Sequence, residues 1–139
     1  MSAWIVIQRW HWPAVSRRNY VVQFILDSKN QSVVMILVSQ FEGNYVQLSM
    51  QKFSSNVVEK CLKVFGEEGR AKIIAEMLSV HRFEQLMQDP YANYVVQSAL
   101  VNSKGPLHTA LVEAIRPHAS VLRTSPYCKR IFSRALLKK

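Results

Sequence analysis

Glycine is scarce, four residues in a chain of 139, and the sequence holds no Gly-rich loop of the kind that cradles phosphate. Cysteine is scarcer. Cys61 and Cys128 stand far apart with no CxxC pair and no neighbouring histidine, which points away from both a zinc site and a disulfide framework. The histidines, His11, His81, His108 and His118, share no ligand spacing, HExxH is missing, and no serine or cysteine sits in a nucleophile motif. These absences argue against an enzyme and leave no metal, no cofactor and no small-molecule substrate to expect. There is no apolar run of about 18 residues, and the stretch from Ala3 to Ile7 is too short for a signal-peptide core. The expectation is therefore no membrane and an intracellular, reducing location. Acidic residues are few, 9 Asp and Glu against 18 Lys and Arg, and the net charge of +9 favours a polyanionic partner such as nucleic acid. Alternation with period 2 is also lacking over any useful length, which removes the signature of half-buried strands.

What the chain does have is apolar content and repetition. At 49% hydrophobic residues it is too apolar to stay disordered. The stretch Ser55 to Leu62, Ser-Asn-Val-Val-Glu-Lys-Cys-Leu, is echoed by Asn-Tyr-Val-Val-Gln from Asn19, by Asn-Tyr-Val-Val-Gln from Asn93, and more faintly by Lys-Arg-Ile-Phe-Ser from Lys129. The starts at 19, 55, 93 and 129 are spaced by 36, 38 and 36, a period that marks a solenoid of stacked supersecondary units. From each start, apolar residues fall at offsets 2, 3, 6 and 7, as in Val57, Val58, Cys61 and Leu62, which is one face of a helix. A second comb at offsets 18, 19 and 22 (Leu37, Val38, Phe41; Ile73, Ile74, Met77; Leu111, Val112, Ile115) predicts another helix on the same core. Polar breaks at 27–31, 66–69 and 102–106 separate the two. Shorter apolar segments, Tyr45 to Met50 and Phe83 to Met87, complete each unit as three helices, with Leu48, Leu86 and Leu122 seven places before their unit's start. The fold class is all-α: an α-solenoid of about three three-helix repeats over 19–139, closed by a C-terminal capping half-repeat near 129. Residues 1–18 read as a divergent N-terminal cap, in which Ile7, Trp10 and Trp12 cover an open stack end and form the least stable region.

Offsets 0, 1 and 4 form one patch on the first helix, away from the valines. It reads Asn19, Tyr20, Gln23, then Ser55, Asn56, Glu59, then Asn93, Tyr94, Gln97. Two hydrogen-bonding groups beside a flat side chain suit a nucleobase held at its edge and its face together. Asn and Gln amides each offer a donor and an acceptor, matching uracil; an ionised Glu only accepts, matching the adjacent donors of guanine. Along the chain the order is uracil, guanine, uracil. In the fourth copy Lys129 and Ser133 replace the edge pair, so it should close the stack without reading a base, while Arg130 offers a guanidinium plane for stacking. Asn44-Tyr45-Val46-Gln47 imitates a unit start but lies 11 residues before Ser55 and belongs to the preceding short helix.

With this spacing, the Ser-Asn-Val-Val-Glu-Lys unit flanked by Asn-Tyr-Val-Val-Gln units resembles the last repeats of Pumilio (PUF) family RNA-binding proteins. The segments Phe-Glu-Gly-Asn-Tyr-Val-Gln-Leu-Ser-Met-Gln-Lys and Pro-Tyr-Cys-Lys-Arg-Ile-Phe-Ser-Arg are most similar to plant members. The resemblance implies a curved solenoid whose concave face reads single-stranded RNA, one base per repeat, with protein and RNA antiparallel. Asn93 and Gln97 would then meet a 5′ uracil, Ser55 and Glu59 the guanine, and Asn19 and Gln23 the next uracil. Tyr20, Asn56 and Tyr94 would stack on the bases. It also implies repression or destabilisation of messenger RNA through 3′ untranslated regions, in the cytoplasm, with protein co-regulators as possible partners. The family usually carries eight repeats, more than this chain holds. The rival reading is a protein-interaction scaffold of the armadillo or HEAT type, or a repeat remnant with little RNA affinity, because α-solenoids also bind peptides on their concave face.

Overall fold

The computed structural model describes residues 32, 36, 39–52, 54–81 and 83–137. The cap assigned to 1–18, residues 19–31 of the unit starting at Asn19, and Leu37 and Val38 of its second comb lie outside them, whereas Phe41 of that comb is described and buried. Among the described residues every regular element is helical, with no strand. The first full triad is α1 (Tyr45–Ser49), α2 (Ser54–Val64) and α3 (Glu67–Leu78). The second is α4 (Phe83–Gln88), α5 (Ala92–Asn102) and α6 (Gly105–Ile115). A 3-10 turn, Arg116–His118, leads to α7 (Ala119–Thr124), and a second, Pro126–Cys128, leads to α8 (Lys129–Phe132). A π-helical turn, Ser133–Leu137, follows.

The second and third helices of the units pack on their counterparts one unit later, α2 on α5, α5 on α8 and α3 on α6, and α2 against α5 is the most extensive of these pairs. This is the stacking that a fixed period demands, since no single triad can cover its own apolar face. The combs supply the core: Val57, Val58, Cys61 and Leu62 of α2, Val95, Val96, Ala99 and Leu100 of α5, and Ile131 of α8 are all buried. Leu48, Leu86 and Leu122 sit at equivalent places in α1, α4 and α7 and are buried alike. Cys61 is one of these core residues, and burial pushes its thiol well above the usual range, so it stays protonated and unreactive near neutrality. Cys128 is also buried and free, its thiol donating to the Met87 carbonyl oxygen at 3.2 Å.

Two details of the combs differ from expectation. Residues 66–69 are not a break: α3 begins at Glu67, where two acidic residues in the first turn suit the positive end of the helix dipole, and Gly69 lies inside the helix. The turn out of α2 is so tight that a Cβ at Gly69 would stand 2.7 Å from the Phe65 Cβ, so glycine here makes room for a close approach rather than ending a helix. The expected break at 102–106 shrinks to Ser103 and Lys104, because Pro106 occupies the first turn of α6, where no backbone donor is needed. Val112 also differs from its counterpart Ile74, being half-buried rather than buried. Among the described residues α6 has no third helix of a following unit against it; the π-helical turn Ser133–Leu137 packs there instead and leaves Val112 lining an open cleft.

The loop into α1 is held from α3. Glu76 accepts the Gly43 N–H on Oε2 at 2.7 Å and the Tyr45 N–H on Oε1 at 3.1 Å, satisfying donors that a helix start leaves orphaned. Gly43 takes φ 85°, a left-handed conformation that favours glycine. Replacement Glu76→Ala strands the part-buried Tyr45 donor, while water can reach the exposed one on Gly43, and should cost about 1–2 kcal/mol. Denaturant titration should show a lower midpoint with an unchanged slope.

Candidate nucleic-acid interface

α2 and α5 lie side by side, and a side-chain bond, from Ser98 of α5 to Glu59 of α2, crosses the seam between them. The three positions are not equally open. Asn56 and Tyr94 are exposed, Tyr94 to 50%, as stacking residues must be to meet a base face. Ser55, Asn93 and Gln97 are buried and Glu59 is half-buried. The edge positions are thus part of the packing, and their hydrogen-bonding capacity is partly used within the protein.

What remains unused follows from the partners. Asn93 donates from Nδ2 to the carbonyl oxygens of Asp89 at 2.7 Å and Pro90 at 3.0 Å, which fixes which end of its amide is nitrogen. Its Oδ1 therefore faces Gln97, whose Nε2 donates to it at 3.1 Å. Gln97 is left with its oxygen and one N–H, a donor beside an acceptor. In the other unit, Ser55 donates its hydroxyl proton to the Lys52 carbonyl oxygen at 3.2 Å, so towards any further group its oxygen can only accept. Glu59 accepts from the Ser98 hydroxyl at 2.8 Å across the seam, keeping three of its carboxylate lone-pair sites. One unit thus offers a mixed edge and the other an acceptor-only edge.

Glu59, Tyr94 and Gln97 meet in one open cleft of about 240 Å³, together with Lys63, Ser98, Val101, Asn102 and Arg134. Lys63 and Arg134 bring cations to it, as a bound phosphate backbone requires. Arg130, the expected guanidinium platform, is exposed on α8 but does not line this cleft; Arg134, one turn further, does. Sequence reasoning missed Lys63, Ser98 and Arg134. Ser98 and Arg134 share offset 5 of their units, a position whose contacts depend on how closely the neighbouring helix approaches. Asn19, Tyr20 and Gln23 lie outside the described residues. The described residues hold no group of three or more His, Cys, Asp or Glu able to bind a metal ion. Among them no helix is long and apolar enough to cross a membrane.

Comparison with known proteins bears on the same elements. The family model for the Pumilio-family RNA binding repeat matches residues 44–78 and 82–116, each block spanning one triad from its short helix onward. The Arabidopsis thaliana protein named putative pumilio homolog 7, chloroplastic, is 59% identical over 121 residues, 87% of this chain and 18% of that protein. Pumilio homolog 12 of the same plant is 50% identical over 87% of the chain and 20% of its own length. The chain thus spans about a fifth of the length of the curated relatives it matches. Among solved structures, PUF-8 in complex with PBE-RNA superposes with TM-score 0.73 at 32% identity, covering 84% of this chain and 35% of that one. The Puf3 RNA binding domain bound to the Cox17 RNA 3′ UTR recognition sequence site A gives TM-score 0.77 at 27% identity, with 86% and 34% covered. Two consecutive repeats matched by the family model, on a helical stack shared with RNA-bound relatives, show that this chain belongs to the Pumilio family.

Proposed function

We propose that this chain binds single-stranded RNA sequence-specifically, reading a U-G-U core one base per repeat, with Tyr94 and Asn56 stacking on bases. The observation that carries the reading is the contrast between the two described edges. Ser55 and Glu59 present acceptors alone, which suits the N1 and N2 donors of guanine, and Gln97 presents a donor and an acceptor, which suits uracil. Asn19, Gln23 and Tyr20 are assigned the third base by the repeat, and Arg130 or Arg134 the outer face of the first. In the longer protein this activity would act on messenger RNA through 3′ untranslated regions. The same reading puts the protein in the cytoplasm, against the chloroplast that two relatives carry in their names; a fluorescent fusion of the full-length protein distinguishes the two. It is a binding module with no catalytic step.

The test is fluorescence anisotropy with a short labelled RNA carrying UGU and with one in which UAU replaces it. Stacking contributes roughly 1–3 kcal/mol per base, and association and ordering costs offset much of it. Binding in the micromolar range or weaker is expected, and the UGU strand should be preferred. If about three phosphates meet Lys or Arg, raising salt from about 50 to about 200 mM should weaken binding roughly 20-fold. Equal affinity for the two strands, or binding indifferent to salt, would contradict the proposal.

A further inference from the structure

The hydrogen bond from Ser98 to Glu59 crosses from one repeat to the next, joining residues 39 apart in sequence. A serine in mid-helix ordinarily donates to the carbonyl one turn earlier in its own helix. Ser98 instead donates outward, to the one acidic side chain of the cleft. The offset it occupies carries Phe24, Lys60, Ser98 and Arg134 in the four copies, so a hydroxyl stands there in this unit alone. The carboxylate it holds has competing partners nearby. Lys63 lies one helical turn beyond Glu59, in the orientation that favours an i, i+4 ion pair, and Arg134 lines the same cleft. Either cation would draw Glu59 away and cancel its charge. A neutral hydroxyl fixes one oxygen without doing so.

We infer that Ser98 is a positioning residue for base selection, holding the Glu59 carboxylate so that its remaining acceptor sites face the base between the two repeats. The inference rests on the base-reading proposal above and adds to it a determinant lying in the repeat beside the one whose base it governs. A repeat's choice of guanine would then depend on its neighbour as well as on its own edge pair.

The experiment is a competition on the purified chain between UGU RNA and strands with U, A or inosine in the middle position. It is run for the unmodified protein and for Ser98→Ala, Ser98→Thr and Glu59→Gln, with a thermal melt of each. Ser98→Ala should lower the preference for guanine about tenfold, the scale of a hydrogen bond to a charged group. It should leave the preference for the first uracil unchanged, and Ser98→Thr should restore the guanine preference. Inosine lacks the N2 amino group, and its penalty should shrink in Ser98→Ala. If Ser98→Ala lowers the melting temperature but keeps the guanine preference, the bond is only a tie between repeats and the inference is overturned. Stronger binding of UGU by Ser98→Ala would overturn it too, since the bond would then be holding Glu59 away from the base. If Glu59→Gln changes the preference while Ser98→Ala does not, only the role of Ser98 fails. If neither changes it, the base-reading proposal fails as well.

Discussion

Exchanging Ser55→Asn together with Glu59→Gln should move the preferred RNA from UGU towards UUU, with a discrimination of roughly 1–3 kcal/mol, the worth of a bidentate base contact. The pair at 93 and 97 shows how the exchanged side chains would sit. Asn93 anchors its amide nitrogen on the carbonyls three and four residues earlier and turns its oxygen to Gln97. Ser55 already uses the equivalent carbonyl three residues earlier, that of Lys52, so an asparagine there finds its anchor in place. The glutamine then receives its partner and presents a donor and an acceptor instead of acceptors alone. The exchange also removes a negative charge facing a polyanion, so affinity for RNA without guanine should rise. Competition between the two strands measures the change, and an unreversed preference for UGU would show that residues 55 and 59 do not face the central base.

Leu62→Ala should cost about 2–5 kcal/mol, because it opens a cavity where the surroundings cannot collapse. Leu62 is fully buried in α2, the helix that carries Ser55 and Glu59 and packs against α1, α3 and α5. A domain of ordinary stability holds about 5–15 kcal/mol in total, so the loss is a large fraction of it. The melting temperature should fall on the order of 10 °C, and RNA binding at that temperature should fall with it. Calorimetry measures the first and anisotropy below and above the new midpoint the second. A change under about 1 kcal/mol would mean that the comb is not packed as described.

The face of each helix was legible because burial imposes a 3.6-residue period. The valines of α2 and α5 and the leucines of α1, α4 and α7 could be assigned without coordinates. The short helix over Tyr45–Ser49 was also separable from the true unit start despite its Asn-Tyr-Val-Gln, since its distance to Ser55 breaks the spacing. What periodicity does not encode is how near one helix stands to the next. Gly69 looked like a break because glycine usually is one, whereas its helix needs it to clear Phe65. Asn93 and Gln97 looked like a free edge, yet both are buried, and bonds to the preceding turn and to each other commit part of their capacity. Ser98 and Arg134 carried no signal of their own, as one lies mid-helix in the neighbouring repeat and the other in a π-turn whose period differs from the pattern sought.

An unbiased selection of RNA on the purified chain tests the central claim most directly, because it presumes no sequence. Base reading by consecutive repeats requires the recovered strands to share U-G-U in adjacent positions. Guanine should be the most sharply defined of the three in that core. Enrichment of a core with no guanine, or recovery of strands with no shared sequence at all, would contradict the account.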